Sequence, residues 1–419
     1  YLETAGAQVR WKRVRPALER ELRTHLEEQT EAYLAEGMTE DAAEAEAVRQ
    51  MGDAETVGPA LDAVHRPKRQ TAILLFAGLA IVLGMYLRAE WIGSSYAFAL
   101  ASGLLACGAL LGGYYLDYRC LSRYAWYIYG AVLVLGAVCV YQTTFMGPGA
   151  PRMLGITVGD TSEYAALLYP LAYALVVYAL RGKKGGFWLS LAALTPFVPL
   201  LLWNRFGDLL PRVLFAAGAA AVLLSAIRVE LFRVKKNWAR ALVWVLLVLA
   251  IAGFFYQDSQ QYQNPSDWYF SPAGLRAWRE IIQNYHKSSS TVSALLARGT
   301  LTEATRLGVL SGTPAWMWLA TLYAPQAALL VILLVRTAKL QNPLGRLLCV
   351  PAGVSLAMQL TLGLLYQAGV FPLSVPLPFI SGNLYTVMDA ALLGLALSTL
   401  RQSACPESVP RRKQPDPAV

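Results

Sequence analysis

The sequence predicts an all-α polytopic membrane protein, with about ten transmembrane helices behind a small N-terminal soluble helical domain. Three observations carry that prediction. Of the 419 residues, 56% are hydrophobic and only 15% charged, against about 25% charged in ordinary soluble domains. Ten apolar runs recur at roughly the length a helix needs to cross a bilayer. The first seventy residues are instead polar and charged.

The soluble prefix comes first. From Arg15 to Glu36, Leu18, Leu22, Leu26, Tyr33 and Leu34 fall on one stripe of an amphipathic helix. Gly37 supplies the stop, and Thr39 with Glu40 and Asp41 the start of a second helix. Gly52 and Asp53 repeat those signals before a third, which carries Val57, Leu61 and Val64. His25 and His65 have no ligand partner at helical spacing, so no metal chemistry is expected of them. A polar opening also speaks against a cleavable signal peptide.

Each span needs about 20 residues, at 1.5 Å of rise per residue. The runs are 71–89, 95–116, 124–143, 163–181, 187–203, 208–227, 239–256, 315–335, 346–368 and 380–400. The fifth is short. Loops on the prefix's side carry the cations: Arg66, Lys68 and Arg69; Arg119 and Arg123; Arg181, Lys183 and Lys184; Arg233, Lys235, Lys236 and Arg240; then Lys339, Arg346 and the tail "PRRK". The positive-inside rule puts prefix and tail in the cytoplasm. The chain divides into a prefix (1–70), a membrane domain (71–402) and a basic tail (403–419). The net charge of +9 therefore reads as topology rather than as affinity for nucleic acid. Five cysteines without paired spacing suggest neither a disulfide framework nor a metal site, and no cofactor is implied.

One external segment, residues 257–314, is far longer than the other loops and rich in polar and aromatic residues. Loops of that length are usually functional or disordered. Leu275 to Tyr285 has the pattern of a short surface helix, with Trp278, Ile281, Ile282 and Tyr285 on one face.

Local motifs then point to families. The run "ELRTHLEEQTEAYLAEGMTEDAAEAEAVRQMGDAETVGPAL" resembles the permease prefix domain that precedes membrane domains in many Gram-positive proteins. In "VPLPFISGN", Pro376, Leu377, Pro378, Phe379, Ile380 and Ser381 resemble the C-terminal signature of the SEDS family (shape, elongation, division and sporulation, to which FtsW, RodA and SpoVE belong). Gly382 and Asn383 replace its glycine pair. Before the fourth span, Gly149, Ala150, Arg152, Ser162 and Glu163 match a second family segment, with Ala166 where the family has lysine. Ten spans with both termini inside and a large loop after span seven agree with the same family.

The resemblance implies a bacterial plasma-membrane protein of peptidoglycan synthesis, cell shape, division or sporulation. Its substrate would be lipid II, the undecaprenyl-linked precursor polymerised at the outer membrane face, and its partner a class B penicillin-binding protein. Polymerisation needs a carboxylate to deprotonate the attacking hydroxyl and cations to hold the pyrophosphate. The family aspartate aligns with Pro314 or Ala315, so the expected acid is missing. Asp267, Asp258 and Glu163 are the substitutes. Solvated loop acids are the plainer reading of the first two, and an ion pair with Arg152 the plainer reading of the third. Substrate contact falls on Arg152, Glu163, Pro378 and Ser381. Arg212 is expected to snorkel toward headgroups, and Asp389, inside the last span, is a helix-packing or functional group. The competing readings are an active glycosyltransferase, an inactive relative that binds lipid-linked precursor or regulates, and an unrelated permease. Without inverted repeats or a set of intramembrane charges, the permease reading is the least supported.

Overall fold

Proline, glycine and charge mark where each helix begins and ends. The computed structural model describes residues 1–12, 14–65, 70–92, 96–141, 158–203, 209–260, 275–276, 315–367, 370–371, 379 and 383–403. Every regular element among them is a helix. The chain falls into two compact units, the first holding Tyr1–Arg69 and the second Gln70–Leu400.

The described residues of the first unit form four helices: α1 (Leu2–Gln8), α2 (Arg15–Ala35), α3 (Glu40–Gln50) and α4 (Ala54–His65). Helix α2 ends as predicted at Gly37, whose φ is +93°. The Met38 N–H bonds Tyr33 C=O at 3.2 Å and the Gly37 N–H bonds Leu34 C=O at 3.0 Å, the paired closure of a left-handed helix cap. Helix α1 is not legible in the sequence, because seven residues carry too little periodicity. It packs on α2 and α4, and Val9, Val14 and Leu18 form the small core with Leu22 and Leu61 around them. Asp62 is buried there, accepting from the Arg10 N–H at 2.8 Å and pairing with its guanidinium at 3.3 Å. Leu34 and Val64, expected on the apolar stripe, are 41% and 66% exposed.

The second unit contains α5 (Thr71–Ile92), α6 (Tyr96–Tyr115), the short α7 (Tyr118–Arg123), α8 (Ala125–Tyr141), α9 (Val158–Ala179), α10 (Gly186–Ala192), α11 (Phe197–Trp203), α12 (Leu209–Arg228), α13 (Lys236–Ser259), α14 (Ala315–Ala338), α15 (Pro343–Gln367) and α16 (Asn383–Arg401). Nine of the ten predicted runs appear as single helices. The expected span 187–203 is instead broken in two. Pro196 has no N–H to offer the Ala192 carbonyl and its ring clashes there, so residues 193–196 turn before α11 resumes. Thr195 takes over that carbonyl with both its N–H (3.1 Å) and its hydroxyl (2.7 Å).

Among the described residues, Lys236–Ser259 and Pro343–Leu365 satisfy both the length and the apolarity needed to cross a membrane, and six shorter helices are apolar. The two largest cores among its described residues are distinct. One gathers α8, α9, α12 and α13 around Tyr169, Tyr173 and Phe215; the other gathers α5, α6, α14, α15 and α16 around Ile81, Leu110, Leu333 and Leu393. Helix α15 packs on α9, α12 and α14 and so ties them together. Where α6 crosses α16 the backbones touch: a Cβ on Gly394 would collide with the Leu110 carbonyl oxygen, and one on Gly113 would meet Ala391 O at 2.8 Å. Without water to drive them together, membrane helices gain their attraction from such close contact.

Candidate functional site: an apolar cavity beside a broken helix

The break in the fifth span leaves carbonyls unpaired, and three tyrosines supply the missing donors. Tyr129 and Tyr169 hydroxyls both donate to Ala193 C=O, the latter at 2.9 Å, and Tyr173 donates to Ser190 C=O at 2.8 Å. Tyr169 stacks on Phe197 at 4.3 Å, and Phe197 on Phe215 at 5.0 Å. The aromatic stack thus pins the start of α11 against α9 and α12.

On the far side of the break lies a cavity of about 710 Å³, walled by α10 and α11, α12 and α13. Its wall is almost entirely hydrocarbon: Leu191, Leu194, Ala219, Leu223, Leu247 and Ala250 are typical. The "AAGAAA" run of α12 explains the room. Gly218 lies so close to the Pro170 ring on α9 that a Cβ would overlap it, while Ala216, Ala219 and Ala220 leave the cavity side unfilled. Polar groups enter only near the end of α13, at Tyr256, Gln257 and Gln260. A slot of this size, apolar along its length and polar at one end, suits a hydrocarbon chain with a polar head.

Asp258 lies at that polar end, in the last turn of α13, 9% exposed. It is a buried helix residue, so the solvated-loop reading does not hold for it. Because α12 and α13 are antiparallel and joined by a short turn, Arg212 in the first turn of α12 belongs to the same end. Arg212 is 1% exposed. The expectation that it snorkels is therefore wrong: its turn is inside the packed domain, where a guanidinium is retained only if held by hydrogen bonds and charge. Arg152, Asp267, Pro314, Pro378 and Ser381 lie outside the described residues, as does nearly all of the surface helix expected at 275–285. Glu163 falls in the first turns of α9 and Ala315 opens α14.

Three of the remaining positions are informative. Ala166, where the resemblance calls for lysine, is fully buried among Leu214 and Leu362, a dry contact between α9, α12 and α15. Asp389 is 4% exposed and joins α16 to α15. It accepts from Ser355 Oγ at 2.8 Å and from Gln359 Nε2 at 3.0 and 3.1 Å, and that amide also reaches Ser355 Oγ at 2.7 Å. No cation shares this cluster, so among the described residues it is a neutral-donor clamp between helices. Phe379, from the "PLPF" segment, is 1% exposed and held at φ +64°, a backbone region costly for a bulky side chain and typical of sites that surroundings over-determine. Among the described residues no group of His, Cys, Asp and Glu is placed to hold a metal.

No family model matches the chain, and no curated protein does. Solved structures do. A chain from a peptidoglycan synthase complex, studied for the coordination of polymerization and crosslinking, superposes with a TM-score of 0.54 at 17% identity, covering 80% of this chain and 98% of its own length. The rod shape determining protein RodA of Thermus thermophilus, as an aspartate-to-alanine mutant, gives 0.50 at 22% identity, covering 78% of this chain and 96% of its own. The chain accordingly has the all-α membrane fold of RodA, preceded by the helical unit described above.

Proposed function

We propose that this protein is a divergent SEDS-type integral membrane protein of peptidoglycan synthesis that takes an undecaprenyl-linked precursor, lipid II, along the α10–α13 cavity. Both termini face the cytoplasm in this reading, the residue 257–314 segment is external, and a class B penicillin-binding protein is the partner. The observation that carries it is the cavity itself. A long apolar slot whose polar end is formed by Tyr256, Gln257 and Gln260 suits a lipid chain with a polar head, and it sits on a fold shared with RodA; Asp258 and Arg212 are buried at the same ends of α13 and α12. Asp258, Asp267 and Glu163 are the candidate bases; Arg152, Glu163, Pro378 and Ser381 are the candidate substrate contacts. The prefix (1–70) and tail (403–419) serve as cytoplasmic appendages to the membrane domain.

A second reading, a precursor-binding or regulatory protein without polymerase chemistry, is favoured by Pro314 and Ala315 where the family carboxylate would stand and by the dry apolar packing of Ala166. The two separate in one experiment. Purified protein, alone and with a co-encoded class B penicillin-binding protein, is given lipid II, and binding and polymerisation are measured for the natural chain, Asp258→Ala, Asp267→Ala, Glu163→Ala and Ala219→Leu. Ala219→Leu should lower lipid II affinity about tenfold by filling the slot, with the fold intact. Glycan strands abolished by one acid substitution establish the enzyme, whereas binding without strands establishes the second reading. Unchanged affinity in Ala219→Leu would remove the cavity from either account.

A further inference from the structure

At the end of the membrane domain opposite the cavity's polar mouth, two connections far apart in sequence are pinned together. The α9–α10 turn brings Arg181, Lys183 and Lys184, all exposed. The α12–α13 turn brings Arg233 and Lys235, with Arg228 at the end of α12 and Arg240 in the first turns of α13 beside it, also exposed. Gly182 N–H donates to Leu231 C=O at 3.3 Å across the two. The second turn is itself fixed by a helix cap that places Glu230 at φ +62°, with Leu231 N–H bonding Ala226 C=O at 3.1 Å and Glu230 N–H bonding Ile227 C=O at 3.2 Å. Glu230 is the sole acid of these two turns. It is already paired with Lys236, which holds its carboxyl below the usual range. Lys183, Lys184, Arg233 and Lys235 make no ion pair with any described residue.

Beneath the cations lies an aromatic floor. Phe187 meets Phe232 at 5.9 Å and Trp238 at 6.4 Å, while Trp188 meets Trp238 at 5.7 Å. The Arg181 guanidinium stacks over Tyr178 at 3.8 Å, which preorganises it. Trp188 and Trp238 are 56% and 51% exposed. Past Trp238 the outer face of α13 continues as exposed Trp244, Val245 and Leu249. Cations, then amphipathic indoles, then bare hydrocarbon follow the depth profile of one bilayer leaflet. Orientation alone asks only for cations near span ends; it does not ask for two separate turns to be fastened into one rim.

We infer that the joined α9–α10 and α12–α13 turns form a binding site for the phosphate headgroup of an anionic membrane phospholipid, whose acyl chains lie along the outer face of α13. This site is separate from the cavity and needs only that the chain reside in a membrane, so it can fail while the peptidoglycan reading stands.

The test is native mass spectrometry of the full chain in an uncharged detergent, titrated with phosphatidylglycerol or phosphatidylcholine. Phosphatidylglycerol should be retained about tenfold more strongly, and Lys183→Gln/Lys184→Gln/Lys235→Gln should cut that retention about tenfold. Glu230→Gln, which removes the acid and frees Lys236, should raise it, giving a gain that misfolding cannot mimic. Arg123→Gln/Arg336→Gln/Lys339→Gln, an equal loss of exposed cations from other connections, should leave it unchanged. Equal retention of the two lipids, equal loss in the control variant, or displacement by millimolar inorganic phosphate would each overturn the proposal.

Discussion

At the residue scale, the buried polar groups of the membrane domain divide into those that hold helices together and those that face space. Asp389 belongs to the first kind. Its two oxygens accept from Ser355 and Gln359 across the α15–α16 contact, and nothing about it opens to the cavity. Gln359→Leu removes two of its bonds and leaves Oδ2 without that donor while Ser355 still holds Oδ1, which should cost about 1–3 kcal/mol. Asp389→Asn keeps an acceptor for both donors and should cost less. Thermal unfolding in detergent checks this: a larger loss in Asp389→Asn than in Gln359→Leu would show that the charge itself is required. Sequence alone marks Asp389 as functional or structural and cannot choose, because the choice rests on partners 30 and 34 positions away. The burial of Arg212 escapes the sequence for the same reason. An arginine beginning an apolar run snorkels when its turn meets lipid, and only the packing of α12 on α9 and α15 shows that this turn does not.

At the element scale, periodicity and length locate nearly every helix of the membrane domain, since a span of about 20 apolar residues is a strong signal. The fifth span shows the limit. Its proline is in plain sight in "LTPFVP", yet membrane helices often tolerate proline with only a kink, and the break is decided by three tyrosines from two other helices. Those tyrosines carry a prediction. Since Tyr129 and Tyr169 share the Ala193 carbonyl, either single change to phenylalanine leaves one donor and should cost little. Tyr129→Phe/Tyr169→Phe leaves that carbonyl unsatisfied and should cost about 1–3 kcal/mol more than the sum of the singles. A double-mutant cycle read by thermal melts measures that coupling, and strict additivity would mean that the stacking of the rings, rather than their hydroxyls, holds the break. Because the break walls the cavity, the double variant should also weaken lipid II binding if the slot is the precursor site.

At the scale of the whole molecule, the fold is legible in the sequence because hydropathy, loop charge and two partial motifs agree with one another, although identity to RodA is only 22% over the 78% of this chain that superposes. The candidate site is less legible. Its walls are unremarkable Leu and Ala, its room depends on which face of α12 carries small residues, and its polar end comes from three residues in the last turn and cap of α13. What loop charges predict is the side on which each connection lies, and a native thiol can report it. Cys120 is exposed in α7, between Arg119 and Arg123, on a connection assigned to the cytoplasm; Cys349 is buried and serves as the unreactive reference. In sealed right-side-out vesicles a membrane-impermeant maleimide should leave Cys120 unmodified, and permeabilisation should expose it, with peptide mass spectrometry assigning the label. Cys405, in the tail, should follow Cys120 in both conditions if the spans between them are even in number. Labelling of Cys120 in intact vesicles would invert the orientation. It would place the cavity's polar mouth in the cytoplasm, where no polymerisation at the outer face could use it, and the lipid II reading would fall with the topology.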